Sequence, residues 1–489
     1  MTAETIDTAA PAADDASLAA RNSLVINILL VSAFVVILNE TIMSVAIPKL
    51  MASLAVPASA AQWLTTAFLL TMAVVIPITG FLLQRFNTRP VYIAAMSLFS
   101  LGTLAAILSP GLPMLVFARV IQASGTAIMM PLLMTTVMTL VPPHQRGKTM
   151  GNISIVISVA PAIGPTISGI ILNYLDWRWM FILVLPIALG ALALGARRIV
   201  NVTTPRPTPL DLLSVVLSGL AFGGLVYGLS NIGLPSEPGA LPAWIPLVVG
   251  IVGMVVFIWR QLVLQRKEAA LLDLRTFESK NFTIAIAMMA IAMMALFGTI
   301  ILLPIYLQNV LGLTTLQTGL LLLPGGLLMG LLGPRVGRLY DRLGPTRLLV
   351  PGMAIVSVVL WAMTLLGPDT WVGYILAGHV VMSVGFAFMF TPLFTVSLSS
   401  VKPQLYSHGS AMLGAIQQLA GAAGVAVFVA LMTGQSAALR AAGEAQLVAL
   451  SGGIRAGFLC GAINSLFAVV AAFFIRRAPD EGQGGMPGH

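Results

Sequence analysis

Gly337-Arg338-Leu339-Tyr340-Asp341-Arg342-Leu343-Gly344-Pro345-Thr346-Arg347 joins two long apolar runs, and Gly80-Phe81-Leu82-Leu83-Gln84-Arg85-Phe86-Asn87-Thr88-Arg89 joins two others. Each segment opens on glycine, places one arginine five residues on, and closes on a second arginine. A chain that writes the same short polar turn twice, each time between helix-length apolar runs, is built from two related halves. Reading outward from the two turns gives fourteen apolar runs, at about 24–47, 61–83, 91–109, 114–141, 149–172, 178–196, 211–232, 243–264, 282–307, 316–334, 347–366, 372–398, 409–433 and 454–475. Runs one to six and nine to fourteen form the halves, and runs seven and eight are an insertion. The expected organisation is a tail at 1–23, a six-helix half at 24–198, two inserted helices with their linkers at 199–281, a second six-helix half at 282–476, and a tail at 477–489.

Composition requires the same class. Of 489 residues 58% are hydrophobic and 8% charged, and the mean hydropathy is +0.99. A soluble domain carries about 25% charged residues, so this chain has too little charge to cover an aqueous surface. Runs of about twenty continuous apolar residues match the bilayer core as helices, whereas barrel strands would alternate apolar and polar. The fold class is all-α integral membrane. The net charge of +9 is topological, and no nucleic acid is expected as a partner. With both termini on one side, twenty Lys and Arg fall on that side, four on the other, and Arg119 lies inside a run, which accounts for all 25. The rule that basic residues stay inside puts both termini in the cytoplasm. Residues 1–20 hold Glu4, Asp7, Asp14 and Asp15 and no basic residue, unlike a signal peptide, and are expected to be a disordered cytoplasmic tail. The single Cys460 cannot form an internal disulfide, and the four histidines show no metal-ligand spacing. No metal and no cofactor is expected. Gly147-Lys148-Thr149 ends like a phosphate-binding loop, but Pro142 stands where its upstream glycine belongs, so ATP is not expected as the energy source.

The two turns resemble the loop signature of the major facilitator superfamily. Three further segments make the chain similar to its 14-helix drug/proton antiporter subfamily, the EmrB/QacA type. These are Leu38-Asn39-Glu40-Thr41 through Pro48, Trp177-Arg178-Trp179-Met180-Phe181 with Pro186, and Pro304-Ile305-Tyr306-Leu307-Gln308 with Gly312, Gly319 and Pro324. The resemblance implies a major facilitator fold, two six-helix halves rocking about a central site, and no enzymatic activity. The chain departs from the pattern in places. Asn39 stands where the subfamily usually has Asp, with the acid one residue later at Glu40. In the first turn the usual Asp and Gly are Gln84 and Asn87, whereas the second keeps Asp341 and Gly344.

By this segmentation fifteen of the sixteen Asp and Glu fall in loops, tails or helix ends, and Glu40 alone sits within a hydrophobic span. A carboxylate in hydrocarbon is costly and marks function by default; the alternative is a structural acid bonded to a neighbouring helix. Counted at 1.5 Å per residue from Leu24 it lies about 24 Å into a core of roughly 30 Å, in the outer half. Arg119 enters the fourth run from outside to a similar depth. In Arg119-Val120-Ile121-Gln122-Ala123-Ser124-Gly125 it resembles the fourth-helix motif of the family, and with Glu40 it is the candidate for proton coupling. Burial disfavours a charged carboxylate and a nearby guanidinium favours it, and both a coupling role and a plain snorkelling or carbonyl-bonding role for Arg119 remain open at this point. Gly80, Arg85, Arg89, Gly337, Asp341, Arg342 and Arg347 are the candidate gating residues of the turns. Gly164 and Pro165, within Pro161-Ala162-Ile163-Gly164-Pro165, resemble the exporter motif of the fifth helix, with Ser168 replacing a second glycine; tight helix packing accounts for part of that pattern.

Helices one, two, four and five of each half line the cavity in this superfamily. On those runs Gln62, Thr66, Gln122, Asn152, Phe297, Tyr306, His379, Phe386, Gln417 and Gln418 are the polar or aromatic candidates for substrate contact. The 25 methionines suit varied ligands. The expectation is a monomeric, proton-coupled exporter of amphiphilic cationic or neutral drugs in the cell membrane, its partners being drugs, protons and lipid. Export of one physiological metabolite or lipid is the alternative within the fold, and uptake symport a further one. Nothing in the runs forms a catalytic pair or a selectivity filter.

Overall fold

A computed structural model describes residues 9–202, 205–206, 209–232 and 242–476. Among them every regular element is helical. Fourteen helices are long and apolar enough to cross a membrane. They are α1 (Ala9–Leu54), α2 (Ala58–Arg85), α3 (Thr88–Ile107), α4 (Leu112–Leu140), α5 (Arg146–Tyr174), α6 (Trp179–Arg198), α7 (Leu212–Ser230), α8 (Trp244–Leu264), α9 (Lys280–Asn309), α10 (Thr315–Leu343), α11 (Thr346–Met363), α12 (Val372–Ser399), α13 (Tyr406–Ala441) and α14 (Gln446–Ala472). Each matches one apolar run. The match is close because a backbone in hydrocarbon must satisfy every N–H and C=O within its own helix, so length and apolarity decide the element.

The N-terminus corrects one expectation. A disordered tail was expected over residues 1–20, yet α1 is helical from Ala9. The segment 9–20 contains seven alanines, the residue with the highest helix propensity, and its proline falls in the first turn, where a missing N–H is tolerated. Residues 1–8 and the expected tail at 477–489 lie outside the described residues, as does Arg477 among the basic residues counted above.

Helices α1–α6 pack together, as do α9–α14. Between the halves the packing is reciprocal: α5 of the first packs on α10 of the second, and α13 packs on α2. Helix five of each half thus meets helix two of the other. Glycine makes the first of these contacts possible. A Cβ on Gly147, Gly151, Gly333 or Gly337 would collide with facing backbone of the partner helix. Hydrogen bonds join the halves from Gln84 to the Gln404 carbonyl at 3.2 Å, Thr135 to Ser410 at 3.2 Å, Gly147 and Lys148 N–H to Asp341 at 2.8 and 2.9 Å, Ser154 to Thr391 at 2.7 Å, and Gln418 to the Met72 sulfur at 3.7 Å. At 1.5 Å rise per residue all lie within roughly 20 Å of the helix ends that carry the two signature turns. That end, the basic face, is where the halves are closed.

The inserted pair is a glycine-rich hairpin. A Cβ on Gly224 would strike Gly250, and one on Gly228 would strike Leu247. Its base is tied by Asp211, which caps α7 through the Ser214 N–H at 2.9 Å and receives two Arg260 hydrogen bonds at 2.6 and 2.7 Å. α7 packs against both α2 and α13, and Tyr227 stacks on Trp63 of α2 at 5.8 Å. The insertion therefore lies along the α2/α13 seam.

Candidate functional site

The first half holds a guanidinium inside its helix bundle. Arg119 of α4 is 1% exposed. Its Nη1 donates to Asn39 Oδ1 at 3.2 Å and to Gln122 Oε1 at 2.6 Å. Its Nε donates to the Leu64 carbonyl at 3.4 Å, and its carbon lies 4.0 Å from the centre of the Phe68 ring. Gln122 passes the network on by donating to Thr103 Oγ1 at 2.8 Å. One side chain thus stitches α1, α2 and α4 together, and reaches α3 through Gln122. A buried charge that is hydrogen-bonded on several sides is held in one geometry, because each lost bond would strand a polar group away from water.

The partner of Arg119 is Asn39 rather than Glu40. Depth counting brings Glu40 and Arg119 to one level, and the structure brings their helices together there, but among the described residues no ion pair within 4.0 Å joins them. Glu40 is the neighbour whose charge acts on Arg119, and Arg119 on it. The polar bonds of the guanidinium are all to neutral groups, and its charge is balanced through space by a half-buried carboxylate one residue from its bonded partner. Snorkelling is absent; one carbonyl bond is present. The Asn39 amide, the Leu64 carbonyl, the Phe68 ring and Thr103 were not picked out as partners from the sequence. The adjacency of Asn39 to Glu40 was the one signal available.

α5 supports the same stretch of α1. A Cβ on Gly164 would run into the Thr41 side chain, and Thr41 Oγ1 lies 3.5 Å from the Ala160 carbonyl. Gly164 lets α5 approach α1 one residue beyond Glu40, while Pro165 is exposed. The Trp177-Arg178 segment closes the far loops: Trp177 donates to Ser53 at 3.2 Å, and Arg178 to the Ser109 carbonyl at 2.9 Å while stacking on Trp177 at 4.3 Å.

The two signature turns act differently. Asp341 caps the N-terminus of α5 through two N–H groups, as an acid suits that end of a helix. Gln84, at the matching position, donates to a carbonyl in the turn before α13. Gly344 has φ +79°, a left-handed conformation that favours glycine, whereas Asn87 sits at φ −64°. Arg85, Arg89, Arg342 and Arg347 are exposed on the basic face.

The pocket candidates divide. Gln122, Tyr306 and Phe386 are buried: Gln122 belongs to the Arg119 network, Tyr306 donates to the Gly367 carbonyl at 2.5 Å, and Phe386 stacks on Phe390 at 5.5 Å. Gln62 and Phe297 are exposed, and Thr66, Asn152, His379, Gln417 and Gln418 are half-buried. His379 Nε2 lies 3.1 Å from the Leu322 carbonyl, and its Nδ1 has no partner.

A bundle of two six-helix halves with reciprocal two-to-five packing, a buried membrane Glu/Arg site and paired glycine turns is the architecture of a membrane transporter. Residues 29–425 match the Major Facilitator Superfamily, and the chain belongs to that family. It is 39% identical over 454 residues to the lincomycin resistance protein LmrB of Listeria monocytogenes, covering 92% of this chain and 96% of that one. It is 38% identical over 456 residues to LmrB of Bacillus subtilis, covering 92% and 95%. Among solved structures, the human organic anion transporter MFSD10 superposes with a TM-score of 0.66 at 13% identity, covering 92% of this chain and 99% of that one. The proton:xylose symporter XylE gives 0.63 at 15%, covering 94% and 97%. These two likenesses concern the fold. The chain is a multi-pass membrane transporter and not an enzyme.

Proposed function

We propose that this transporter exports amphiphilic drugs from the cytoplasm in exchange for protons, with Glu40 as the proton-carrying group and Arg119 as its electrostatic partner. The single observation that carries the reading is the buried guanidinium of Arg119, bonded only to neutral groups, beside the one acid set within a hydrophobic span. When Glu40 is ionised the pair is neutral overall. When Glu40 takes a proton the guanidinium is left uncompensated in a place of low dielectric, which changes what the surrounding site tolerates. A cationic or neutral substrate and a proton then compete for the same site. Similarity to the lincomycin resistance proteins LmrB over nearly the whole chain supports lincomycin among the substrates. The twenty basic residues on the face of the signature turns support a cytoplasmic location for that face in the cell membrane. On this orientation the described state is closed to the cytoplasm.

The substrate would be held between the halves, with Gln62, Thr66, Asn152, Phe297, His379 and Gln417 as the candidates that retain exposed or half-buried surface. The test is flux in inverted vesicles holding the purified chain as a monomer. With a pH gradient imposed, lincomycin and a panel of cationic and neutral drugs are offered, and proton release is followed. Drug-dependent proton movement is the expected result. Transport of a single metabolite with no response to the panel would replace drug export by the metabolite reading, and flux in the opposite direction would replace export by symport.

A further inference from the structure

His408 is the third residue of α13 and is 2% exposed. Its Nδ1 has no hydrogen-bond partner. That nitrogen faces α2 of the other half, where a methyl group on Gly80 would stand 3.0 Å from it. On another side, the backbone of Leu271, in the connector between α8 and α9, reaches the ring. The imidazole is thus clamped between the halves at the glycine that opens the first signature turn. A cavity of about 570 Å³ opens beside it on the basic face, with Gln84, Arg206, Asp273, Arg275 and Lys402 in its wall.

We propose that His408 is a proton sensor of the basic face: it is neutral while the halves are closed, takes a proton when they part, and so holds that face open in acid. A neutral imidazole can leave Nδ1 as an acceptor against Gly80. An imidazolium has two N–H donors, and the one at Nδ1 would point at a glycine with nothing to accept it. Gly80 and His408 belong to different halves, so separation of the halves gives that nitrogen to water. Of the surrounding charges, Asp273 and Arg275 act on the imidazole with opposite sign, while Arg146 lies over the Tyr406 ring two residues before it and Lys280 starts α9. The connector brings Asp273 and Arg275, ion-paired at 2.9 Å, with Glu268 and Glu278. The segment after α6 brings Arg206, the turn before α13 brings Lys402, and α2 brings Arg85 at its exposed end. α4 brings no charge, its Thr135 being bonded to Ser410. The contact with Gly80 decides which charge state the closed form accepts. The cavity opens on the basic face, so this proton returns to the side it came from and is not carried across. The consequence is a brake: an acidified cytoplasm stalls the transporter and limits further proton entry.

The proposal rests on the alternating exporter of the preceding section. It is tested in a Cys460→Ser chain carrying Phe86→Cys and Leu343→Cys, exposed tips of the two signature turns, with nitroxide labels and distance measurement in nanodiscs. A histidine that titrates at about 6.5 in water and stays neutral when enclosed shifts the closed-to-open ratio about tenfold between pH 7.5 and pH 5.5. The expected result is that shift in the parent and its loss in His408→Gln. An equal shift in both overturns the sensor. Should His408→Gln fail to fold, the chain with its native histidines answers through diethyl pyrocarbonate modification at pH 7.5, read by mass spectrometry. His408 is expected to be protected relative to the exposed His144 and to lose protection when the basic face opens; modification as fast as at His144 throughout overturns it. Gradient-driven drug flux in the parent is measured alongside. Its absence counts against the exporter reading, whereas intact flux with an unaltered pH response in His408→Gln counts against the sensor alone.

Discussion

The carboxylate of Asp341 accepts the backbone N–H of Gly147 at 2.8 Å, and its second oxygen accepts the N–H of Lys148 at 2.9 Å. These two residues start α5 in one half while Asp341 ends α10 in the other, so a helix cap doubles as a latch between the halves. The corresponding Gln84 makes one neutral bond across the seam. Charge-assisted bonds are roughly twice as strong as neutral ones, and a helix N-terminus favours an anion. The latch is asymmetric because the first turn has an amide where the second has an acid.

Asp341→Asn is therefore expected to slow turnover several-fold with little change in drug affinity, and Gln84→Ala to do less. Asparagine keeps one acceptor oxygen but loses the negative charge at the α5 N-terminus and the second acceptor, which costs about 1 kcal/mol of the closed state, close to a factor of five. Stopped-flow export with equilibrium drug binding reads both quantities. Greater damage from Gln84→Ala would reverse the assignment.

Glu40→Gln keeps the shape of the side chain and removes its titration. The variant should insert and fold normally and lose drug accumulation driven by a pH gradient. Vesicle uptake, normalised to protein that passes size exclusion as a single species, measures it. Full gradient-driven export by the variant would exclude Glu40 as the proton carrier.

Arg119 variants should separate charge from geometry. Arg119→Ala strands the Asn39 and Gln122 amides inside the bundle and is expected to cost about 3–5 kcal/mol, as when one member of a buried polar network is removed. Arg119→Lys keeps the charge but cannot reach Asn39, Gln122 and the Leu64 carbonyl together. It should retain more stability than Ala while shifting the pH profile of transport. Thermal unfolding in detergent and the pH dependence of flux check the two parts; a Lys variant with an unchanged profile would leave Arg119 a purely structural role.

If Glu40 is the only carrier, one proton exchanges for one drug. Exchange for a monovalent cation then moves no net charge, and a membrane potential, worth about 2.3 kcal/mol per charge at 100 mV, contributes nothing. Flux of such a drug should stay flat when a potassium diffusion potential is varied at fixed pH gradient. A neutral compound should be helped by an inside-negative potential and a divalent cation opposed by it. Strong voltage dependence for the monovalent drug would mean a second transported proton, with half-buried His379 the first residue to replace.

Asp211, at the start of α7 just outside the apolar span, is held well below the usual carboxylate range by its Arg260 hydrogen bonds. A depressed carboxyl contributes its stability above the unfolded value, near 3.9, and loses it as pH falls through the folded value. Asp211→Asn should lower Tm by a constant amount between pH 8 and pH 5, the gap narrowing only below about pH 4. A gap that closes already at pH 6 would mean that another group is responsible.

The number of spans, the doubled turn and the distribution of basic residues were legible in the sequence, because the bilayer imposes a one-dimensional rule: enough apolar residues in a row, and basic residues kept to one side. Glu40 was legible for the same reason, as the one acid within a hydrophobic span. What each helix turns toward its neighbours was not. Lipid and protein core are equally apolar, so periodicity does not separate an inward face from an outward one. That is why Gln122 reads as a cavity residue and proves to be a partner of Arg119. It is also why Asn39, quoted as a departure from a family pattern, turns out to hold the guanidinium. The latch at Asp341 and the clamp on His408 likewise join residues 193 or more positions apart. Only the docking of one half on the other brings them together.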